Sequence, residues 1–410
     1  MTKKASTPAL RFKGFTYTWE QRKLSEFADK VTEKNVGLQY IETFTNSAEF
    51  GIISQRDFFD HDIAKMSSLG GYYIVRSEDF VYNPRISTSA PVGPINRNKL
   101  GRIGVMSPLY TVFRPHDIGT TYLEHFFKSK YWHSFMNFNG DSGARSDRFS
   151  IKDSVFFEMP IPIPHIEEQR KIGEYLTHLD RLITLHQRKY DKLTNMKKSM
   201  LEKMFPKNGA NVPEIRFKGF TDAWEQRKLG EAVQEVTRND ATSDAPIMMI
   251  TANNGFIEQS ERYAFNNAGE SLKKYILLEK GELAYNHGAS KLRPYGSCFT
   301  LTTSENARIP FVYHCFSADE QNSEFLSIEL NGADVENQLR RIVSSGARMD
   351  GLLNISFQEY VSVSVLLPTI EEQNKIADFF KNLDRLITLH QRELEKLKNL
   401  KKACLEKMFV

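Results

Sequence analysis

The chain has 410 residues, which is too long for one ordinary domain and predicts two or three. Apolar residues make up 40% and charged residues 26%, a composition that excludes an intrinsically disordered protein. Because the formal net charge is only +4, composition by itself does not indicate nucleic-acid binding. Any such surface must gather its basic side chains on one face.

Cysteine content and the N-terminal segment bear on the cellular compartment. The three cysteines form no C-x-x-C pair and have no histidine spaced with them for zinc, so we expect reduced thiols. The N-terminal segment carries lysines without an apolar run behind them, and nowhere are ~18 consecutive residues apolar. We therefore expect a soluble, cytoplasmic protein.

In chain order, the first recognisable segment is PALRFKGFTYTWEQRKL at residues 8–24, which returns as PEIRFKGFTDAWEQRKL at residues 213–229. Shorter segments recur at nearly the same offset: SGAR at 142–145 and 345–348, IEEQ at 166–169 and 370–373, LDRLITLHQR at 179–188 and 383–392, and LEKMF at 201–205 and 405–409. This constant offset indicates a tandem duplication of one large unit. A segment rich in Pro, Gly and Asn at residues 205–219 predicts a hinge between the halves.

Within this repeated frame, residues 33–140 and 238–344 share almost no alignable sequence. A constant frame with different inserts suits a scaffold that presents two separate recognition surfaces. Each insert reads as mixed α/β, with strands predicted at 71–84 and 109–115 in the first insert and at 274–288 and 297–303 in the second. Helices are predicted at 121–138 and 323–343.

Each half ends in a predicted long helix, which opens with PHIEEQ (164–169) or PTIEEQ (368–373). Thr369 with Glu372 fits a capping box, and apolar residues then recur at heptad spacing. Each helix of about 38 residues would be roughly 55 Å long. If a pseudo-twofold axis relates the halves, the helices run antiparallel and His186 faces His390, with at least one imidazole neutral. The layers then expected are Ile172 with Cys404, Leu179 with Leu397, Leu193 with Leu383 and Met200 with Ile376.

Signatures of catalysis are missing from the sequence, which contains no P-loop, no G-x-G-x-x-G, no H-E-x-x-H and no G-x-S-x-G. YNPRI at 82–86 approaches the N-P-P-[YF] motif of adenine methyltransferases but lacks the second proline and the aromatic residue. The adjacent glutamates at 167–168 and 371–372 are interpreted as helix-capping charges. We predict no catalytic residue, no metal and no cofactor.

Polar and basic loop residues stand at similar places in the two inserts, and these residue types contact phosphates and base edges. Ordinary solvated surface has the same composition, but the repetition in register favours DNA contact. The candidates in the first half are Asn46, Gln55, Arg56, Asn83, Arg85, Ser87, Thr88, Arg97, Lys99, Arg145 and Arg148. Those in the second half are Asn253, Asn254, Asn286, His287, Lys291, Arg293 and Arg348.

The layout resembles the specificity subunit of type I restriction-modification systems, in which two target recognition domains are each followed by a long helix opening with P-x-[IL]-x-E-Q. The matching stretches are PHIEEQ and PTIEEQ, together with the repeated LDRLITLHQR and WEQRKL, and the resemblance covers the whole chain. It implies an α+β fold of two mixed α/β recognition domains in a pseudo-twofold tandem repeat, joined by two long antiparallel coiled-coil helices. The expected boundaries are 1–155 and 211–360 for the recognition domains, and 156–210 and 361–410 for the regions with the long helices.

The resemblance also implies what the protein does and which partners it has. It implies a non-enzymatic chain that reads a bipartite asymmetric target in double-stranded DNA, one half per recognition domain. Two DNA methylation subunits and the restriction and motor subunits would be its partners. Arg145 and Arg348, in the repeated SGAR segments, are implied to lie near DNA. Two other readings stay open: a coiled-coil scaffold that binds only proteins, and an enzyme with a cryptic site.

Overall fold

A computed structural model describes residues 7–61, 63–141, 147–207, 209–252, 254–261, 269–318, 320–343 and 352–409. The helices and strands before the hinge are β1 (Glu20–Lys23), β2 (Ala28–Lys30), β3 (Phe44–Ser47), β4 (Gly51–Ser54), α1 (Gln55–Phe59), β5 (Tyr73–Val75), β6 (Phe80–Tyr82), β7 (Ile95–Arg97), β8 (Gly104–Met106), β9 (Thr111–Pro115), α2 (Thr120–Lys128), α3 (His133–Asn139), α4 (Asp153–Phe156), β10 (Pro160–Ile163) and α5 (Ile166–Lys203).

The second half of the chain repeats this order except at α1, whose place after β14 is taken by a short 3-10 helix. Its elements are β11 (Glu225–Lys228), β12 (Gln234–Glu235), β13 (Met248–Thr251), β14 (Gly255–Glu258), β15 (Ile276–Glu279), β16 (Leu283–Asn286), β17 (Ser297–Thr300), β18 (Asn306–Ile309), β19 (His314–Ser317), α6 (Ser323–Leu330), α7 (Ala333–Ile342), α8 (Phe357–Val361), β20 (Ser364–Leu367) and α9 (Ile370–Lys407). Short 3-10 helices lie at Leu24–Glu26, Met66–Gly71, Leu229–Glu231, Gln259–Glu261 and Gly269–Lys274.

The chain divides into two units, each described by itself. Unit 1 comprises Met1–Arg188 and His390–Val410, and unit 2 comprises Lys189–Leu389. The units therefore do not coincide with the tandem halves, because each unit takes part of α5 and part of α9. The boundaries of the recognition domains and of the regions with the long helices, which were derived from the sequence, stay a prediction. The pseudo-twofold axis stays a prediction as well.

Antiparallel strand pairing among the described residues gives the two units the same arrangement of sheets. In unit 1 the order β2-β9-β6-β7 forms a four-stranded sheet, and β3-β4 and β5-β8 form two-stranded ones. In unit 2 the corresponding orders are β12-β19-β16-β17, β13-β14 and β15-β18. The inserts therefore share a topology although their sequences do not align. The strand predicted at 71–84 is two strands, interrupted at Glu78, where φ is +74°. The helix predicted at 121–138 is likewise divided into α2 and α3.

The repeated WEQRKL segment has the same role in each unit. Its EQRK residues form β1, paired with β10, and β11, paired with β20. The following leucines, Leu24 and Leu229, are fully buried and donate their backbone N–H groups to Met159 and Val363. Each repeated segment therefore fastens the start of its half to the strand that precedes its long helix.

The two predicted long helices are confirmed, and each contains 38 residues. In unit 1, Ile172 and Leu179 of α5 share one core with Cys404 of α9 and with Tyr122 of α2. Within that unit α5 and α9 run antiparallel, since Asp180 bonds Lys401 while His186 meets His390. In unit 2 the later part of α5 and the earlier part of α9 share a core containing Leu193, Met200, Ile376 and Leu383. Lys197 Nζ lies 2.5 Å from Asp384 Oδ1 there.

Candidate nucleic-acid interface

The loop after β6 carries exposed polar residues, and its two ends are held by hydrogen bonds and by a tight return of the backbone. The Asn83 amide donates to the Asn46 carbonyl at 2.7 Å, and its side-chain oxygen accepts the Arg85 backbone N–H at 2.9 Å. The loop returns through Gly93, whose φ is +82° and where a Cβ would lie 2.1 Å from the Asn83 carbonyl oxygen. Between these anchors, the side chains of Arg85, Ser87 and Thr88 are exposed.

A second segment lies against this loop and carries Arg148. The Phe149 N–H donates to the Pro84 carbonyl at 2.7 Å, and Arg85 and Arg148 are partners in an antiparallel bridge. The Arg85 side chain is 71% exposed and lies 3.8 Å from Asp147. The structure therefore brings two predicted DNA contacts, Arg85 and Arg148, to neighbouring positions on unit 1. Arg148 also lines an open cleft of about 470 Å³.

Three other candidates in unit 1 are engaged inside the protein. Asn46 is buried and donates to the Val81 carbonyl, and Gln55 is buried beside the Phe44 carbonyl. The Arg97 side chain is 11% exposed and bonds Glu78 and Glu124. These contacts hold the sheet and its loops in place, which leaves the exposed side chains as the candidates for DNA contact.

Arg56 and Lys99 of unit 1 lie at the surface. Lys99 is 57% exposed and donates to Glu124 at 2.8 Å. Burial by itself would raise the pKa of Glu124, but Lys128, Lys99 and Arg97 outweigh it and lower that pKa to about 2. Lys128 also lies 3.3 Å from Asp180 of α5. Lys99, which follows β7, thus stands at the surface end of a series of ion pairs that runs through Glu124 and Lys128 to Asp180 of α5.

In unit 2 the corresponding loop lies between β16 and β17, and hydrogen bonds of the same kind hold it. The Asn286 amide donates to the Ile250 carbonyl at 3.0 Å, its oxygen accepts the Gly288 N–H at 2.9 Å, and Gly296 has a φ of +83°. Lys291 is exposed in this loop, and Asn254 is exposed in the β13–β14 turn.

His287 and Arg293 of unit 2 are held within the protein. His287 is buried, with its ring nitrogens 2.8 Å from the Leu353 carbonyl and 2.7 Å from the Val312 carbonyl. Arg293 donates to the Asn331 carbonyl at 2.8 Å, and burial lowers its pKa. Both side chains hold the loop in place. Arg145, Asn253 and Arg348 lie outside the described residues.

Sequence reasoning missed the buried ion pairs that the repeated frame builds. Arg11 donates to both carboxylate oxygens of Glu168 at 2.7 and 2.8 Å, and Arg216 does the same to Glu372 at 2.7 Å for both bonds. The interpretation of these glutamates as helix-capping charges was therefore incomplete, since the carboxylates of Glu168 and Glu372 are 1% exposed and paired with arginines. The joint repetition of RFKG and IEEQ was the available signal.

The histidine pair predicted at the helix seam is present in unit 1. The Nδ1 atoms of His186 and His390 lie 3.0 Å apart, and the ring centroids are 5.1 Å apart. At this distance one nitrogen donates its N–H and the other accepts, so at least one ring is neutral. The prediction that the two histidines face each other is confirmed.

No group of three or more His, Cys, Asp or Glu side chains in the described part of the chain is placed to hold a metal ion. Among the helices described, none is long and apolar enough to cross a membrane.

The chain is similar to known proteins in its sequence and in its fold. Residues 17–195 match the sequence model of the type I restriction modification DNA specificity domain. The chain is similar to the type I restriction enzyme MjaVIII specificity subunit of Methanocaldococcus jannaschii, with 23% identity over 275 residues, 62% of this chain and 61% of that protein. It is also similar to the putative MjaX specificity subunit of the same organism, with 22% identity over 272 residues, 62% of this chain and 59% of that protein. The chain thus spans about three fifths of the length of these curated relatives.

Among solved structures, the type I restriction-modification S subunit from M. genitalium superposes with a TM-score of 0.55 and 14% identity, over 99% of each chain. At that identity the likeness shows a shared fold. Residues 17–195 thus resemble a type I restriction modification DNA specificity domain, and the chain shares the fold of the S subunit from M. genitalium.

Proposed function

We propose that this chain is the DNA-binding specificity subunit of a type I restriction-modification complex and that each recognition domain reads one half of a bipartite, asymmetric target. The observation that carries the proposal is the pairing of Arg85 and Arg148 on adjoining loops of unit 1, within residues 17–195, which match the specificity domain. Guanidinium groups so placed contact phosphates or guanine edges. Lys291 and Asn254 offer the corresponding exposed groups in unit 2.

The long helices, in this proposal, set the spacing of the half-sites and dock the methylation subunits. Leu185 of α5 and its repeat partner Leu389 of α9 are 46% and 53% exposed. Exposed leucines at the same place in two copies of LDRLITLHQR suit contact with another protein. We infer that two methylation subunits bind these helices and that restriction and motor subunits complete the assembly. Methylation and cleavage then belong to the partners, and the chain itself is not an enzyme.

Long-read sequencing that detects methylated adenine in the host genome tests the proposal. We expect a bipartite motif that disappears when the gene for this chain is deleted. Replacing residues 33–140 with the insert of another specificity subunit should change one half of the motif and leave the other unchanged. A change in both halves, or an unchanged motif after deletion, contradicts the proposal.

A protein-binding scaffold without DNA recognition is the alternative, and salt dependence separates the two. If the proposal holds, the assembled complex binds duplex DNA with an affinity that falls steeply as salt rises, because Arg and Lys contacts release counterions. A complex that assembles fully yet binds DNA no better than its partners alone favours the scaffold.

A further inference from the structure

The cleft beside Arg148 in unit 1 has the chemistry of a nucleobase pocket. Its volume is about 470 Å³, and its walls include Tyr73, Tyr110 and Pro84. Tyr82 also lines the cleft and is buried. Its ring stacks on Phe156 with the centroids 5.0 Å apart, and its hydroxyl donates to the Val92 carbonyl at 3.0 Å, so this side of the cleft is fixed. Flat aromatic and apolar walls of this kind stack nucleobases that have left a helical stack.

One side of the cleft carries a hydrogen-bond donor next to an acceptor. Lys30 Nζ lies 2.5 Å from Asp153 Oδ2, and Thr111 donates to Asp153 Oδ1 at 3.1 Å. The hydrogen bond to Asp153 raises the pKa of Lys30, so Lys30 is charged at neutral pH. A base edge that offers an acceptor beside donors can bond both groups. Guanine fits best, because its O6 lies next to the N1–H and N2–H donors that a carboxylate accepts.

At the corresponding place in unit 2, two histidines stand where unit 1 has Thr111 and Pro84. Thr111 pairs with Tyr82 in the sheet of unit 1, and His314 pairs with Tyr285 at the same register in unit 2. His287 follows Asn286 as Pro84 follows Asn83. These two histidines stack at 5.2 Å, and His314 donates to the Ile355 carbonyl at 3.0 Å. The combination of Thr111 and Pro84 at the cleft is therefore particular to unit 1 among the described residues.

We propose that this cleft binds a nucleobase, preferably guanine, which stacks on Tyr73 and Tyr110 and bonds Lys30 and Asp153 through its edge, while Arg148 holds an adjoining phosphate. The base has two possible sources, an unstacked base of the DNA target or a free nucleotide. The DNA source rests on the function proposed above, and the free-nucleotide source does not.

The test uses the full chain assembled with its methylation subunits. Deoxyguanosine monophosphate is titrated by calorimetry, with deoxyadenosine monophosphate for comparison. In parallel, duplexes of the mapped target carry fluorescent analogues in place of each base of the half-site. The variant Asp153→Asn removes the charge of the acceptor. Glu158→Gln is the matched control, since this nearby exposed carboxylate pairs with Lys23 outside the cleft. Thermal melting of each variant verifies its folding.

We expect saturable guanine nucleotide binding that Asp153→Asn weakens at least tenfold, or a rise in analogue fluorescence that the variant abolishes, with Glu158→Gln unchanged in either case. The first result alone identifies a free nucleotide, and the second identifies an unstacked DNA base. If the wild-type complex binds its target specifically but neither signal is seen, the pocket is refuted while the proposed function stands. If specific DNA binding is also lacking, both are refuted.

Discussion

Removing the arginine of the buried pair in unit 1 provides a quantitative test of how the repeated frame is held. Arg11 is 12% exposed and bonds both oxygens of Glu168, whose carboxylate is 1% exposed. Arg11→Met keeps a long side chain but removes both donors. Glu168 then retains the Trp19 indole N–H, 3.1 Å from Oε2. One neutral donor does not compensate a buried charge, so we expect a loss of about 3–5 kcal/mol in the free energy of unfolding.

The second copy of the motif sharpens this prediction. Arg216 bonds Glu372 with the same geometry and exposure, but within the described residues the Trp224 indole N–H has no hydrogen-bond partner. Arg216→Met leaves Glu372 without the indole donor that Glu168 has, so it should cost at least as much as Arg11→Met. The double variant Arg11→Met with Glu168→Gln should recover most of the loss, because no charge is then buried.

Urea unfolding of the full chain, followed by tryptophan fluorescence, measures these differences. Arg170→Met is the control, since Arg170 and Glu174 lie on the same helix at 3.7 Å and are 68% and 65% exposed. An exposed pair of this kind contributes about 0.5 kcal/mol or less. If Arg11→Met costs no more than Arg170→Met, or if the double variant is no more stable than the single one, the buried-charge argument is wrong.

Three further predictions concern the loops and one buried acid. Arg85→Ala should lower the salt slope of DNA binding by about one with little loss of stability; an unchanged slope would remove Arg85 from the interface. Gly93→Ala should cost roughly 1–3 kcal/mol in thermal unfolding, and Gly209→Ala less, since both have positive φ but a Cβ at Gly209 meets nothing within 4 Å. Burial raises the pKa of Glu329 in the folded protein to about 7. The protonated side chain therefore contributes its full share to the free energy of unfolding below the pKa of the unfolded state, and this share is lost as pH rises through 7. Glu329→Gln should therefore exceed wild type by up to about 3 kcal/mol near pH 8 and match it near pH 4; an equal gain at both pH values contradicts this.

The long helices were predictable because their signal is local and periodic. Heptad spacing gave their length, and antiparallel pairing placed His186 opposite His390, where the structure has them. The antiparallel pairing also predicted the layer of Ile172 with Cys404, and both residues lie in the core of unit 1. The boundaries of the units were not predicted, because unit 1 joins His390–Val410 to the first half of the chain.

The candidate DNA contacts show the limit of residue type as a guide. Arg85 and Arg97 both stand in polar segments of the first insert. Arg97 is nevertheless closed off by Glu78 and Glu124, which lie 19 and 27 residues away in the chain. Arg85 lies against Asp147 at 3.8 Å and stays 71% exposed. The difference depends on distant partners, which no local pattern contains.

Although most of their sequences do not align, the two inserts share a small set of residues around the polar loops that were predicted to correspond. Tyr82, Asn83 and Gly93 recur as Tyr285, Asn286 and Gly296, each at an offset of 203. The tyrosine hydroxyl bonds a loop carbonyl in both copies, at 3.0 and 2.6 Å, and the asparagine fixes the start of the loop. The glycine permits a return that a Cβ would block. If the loops read DNA as proposed, the shared tyrosine, asparagine and glycine fix the position of each loop. The residues between the asparagine and the glycine can then differ with the half-site that each domain recognises.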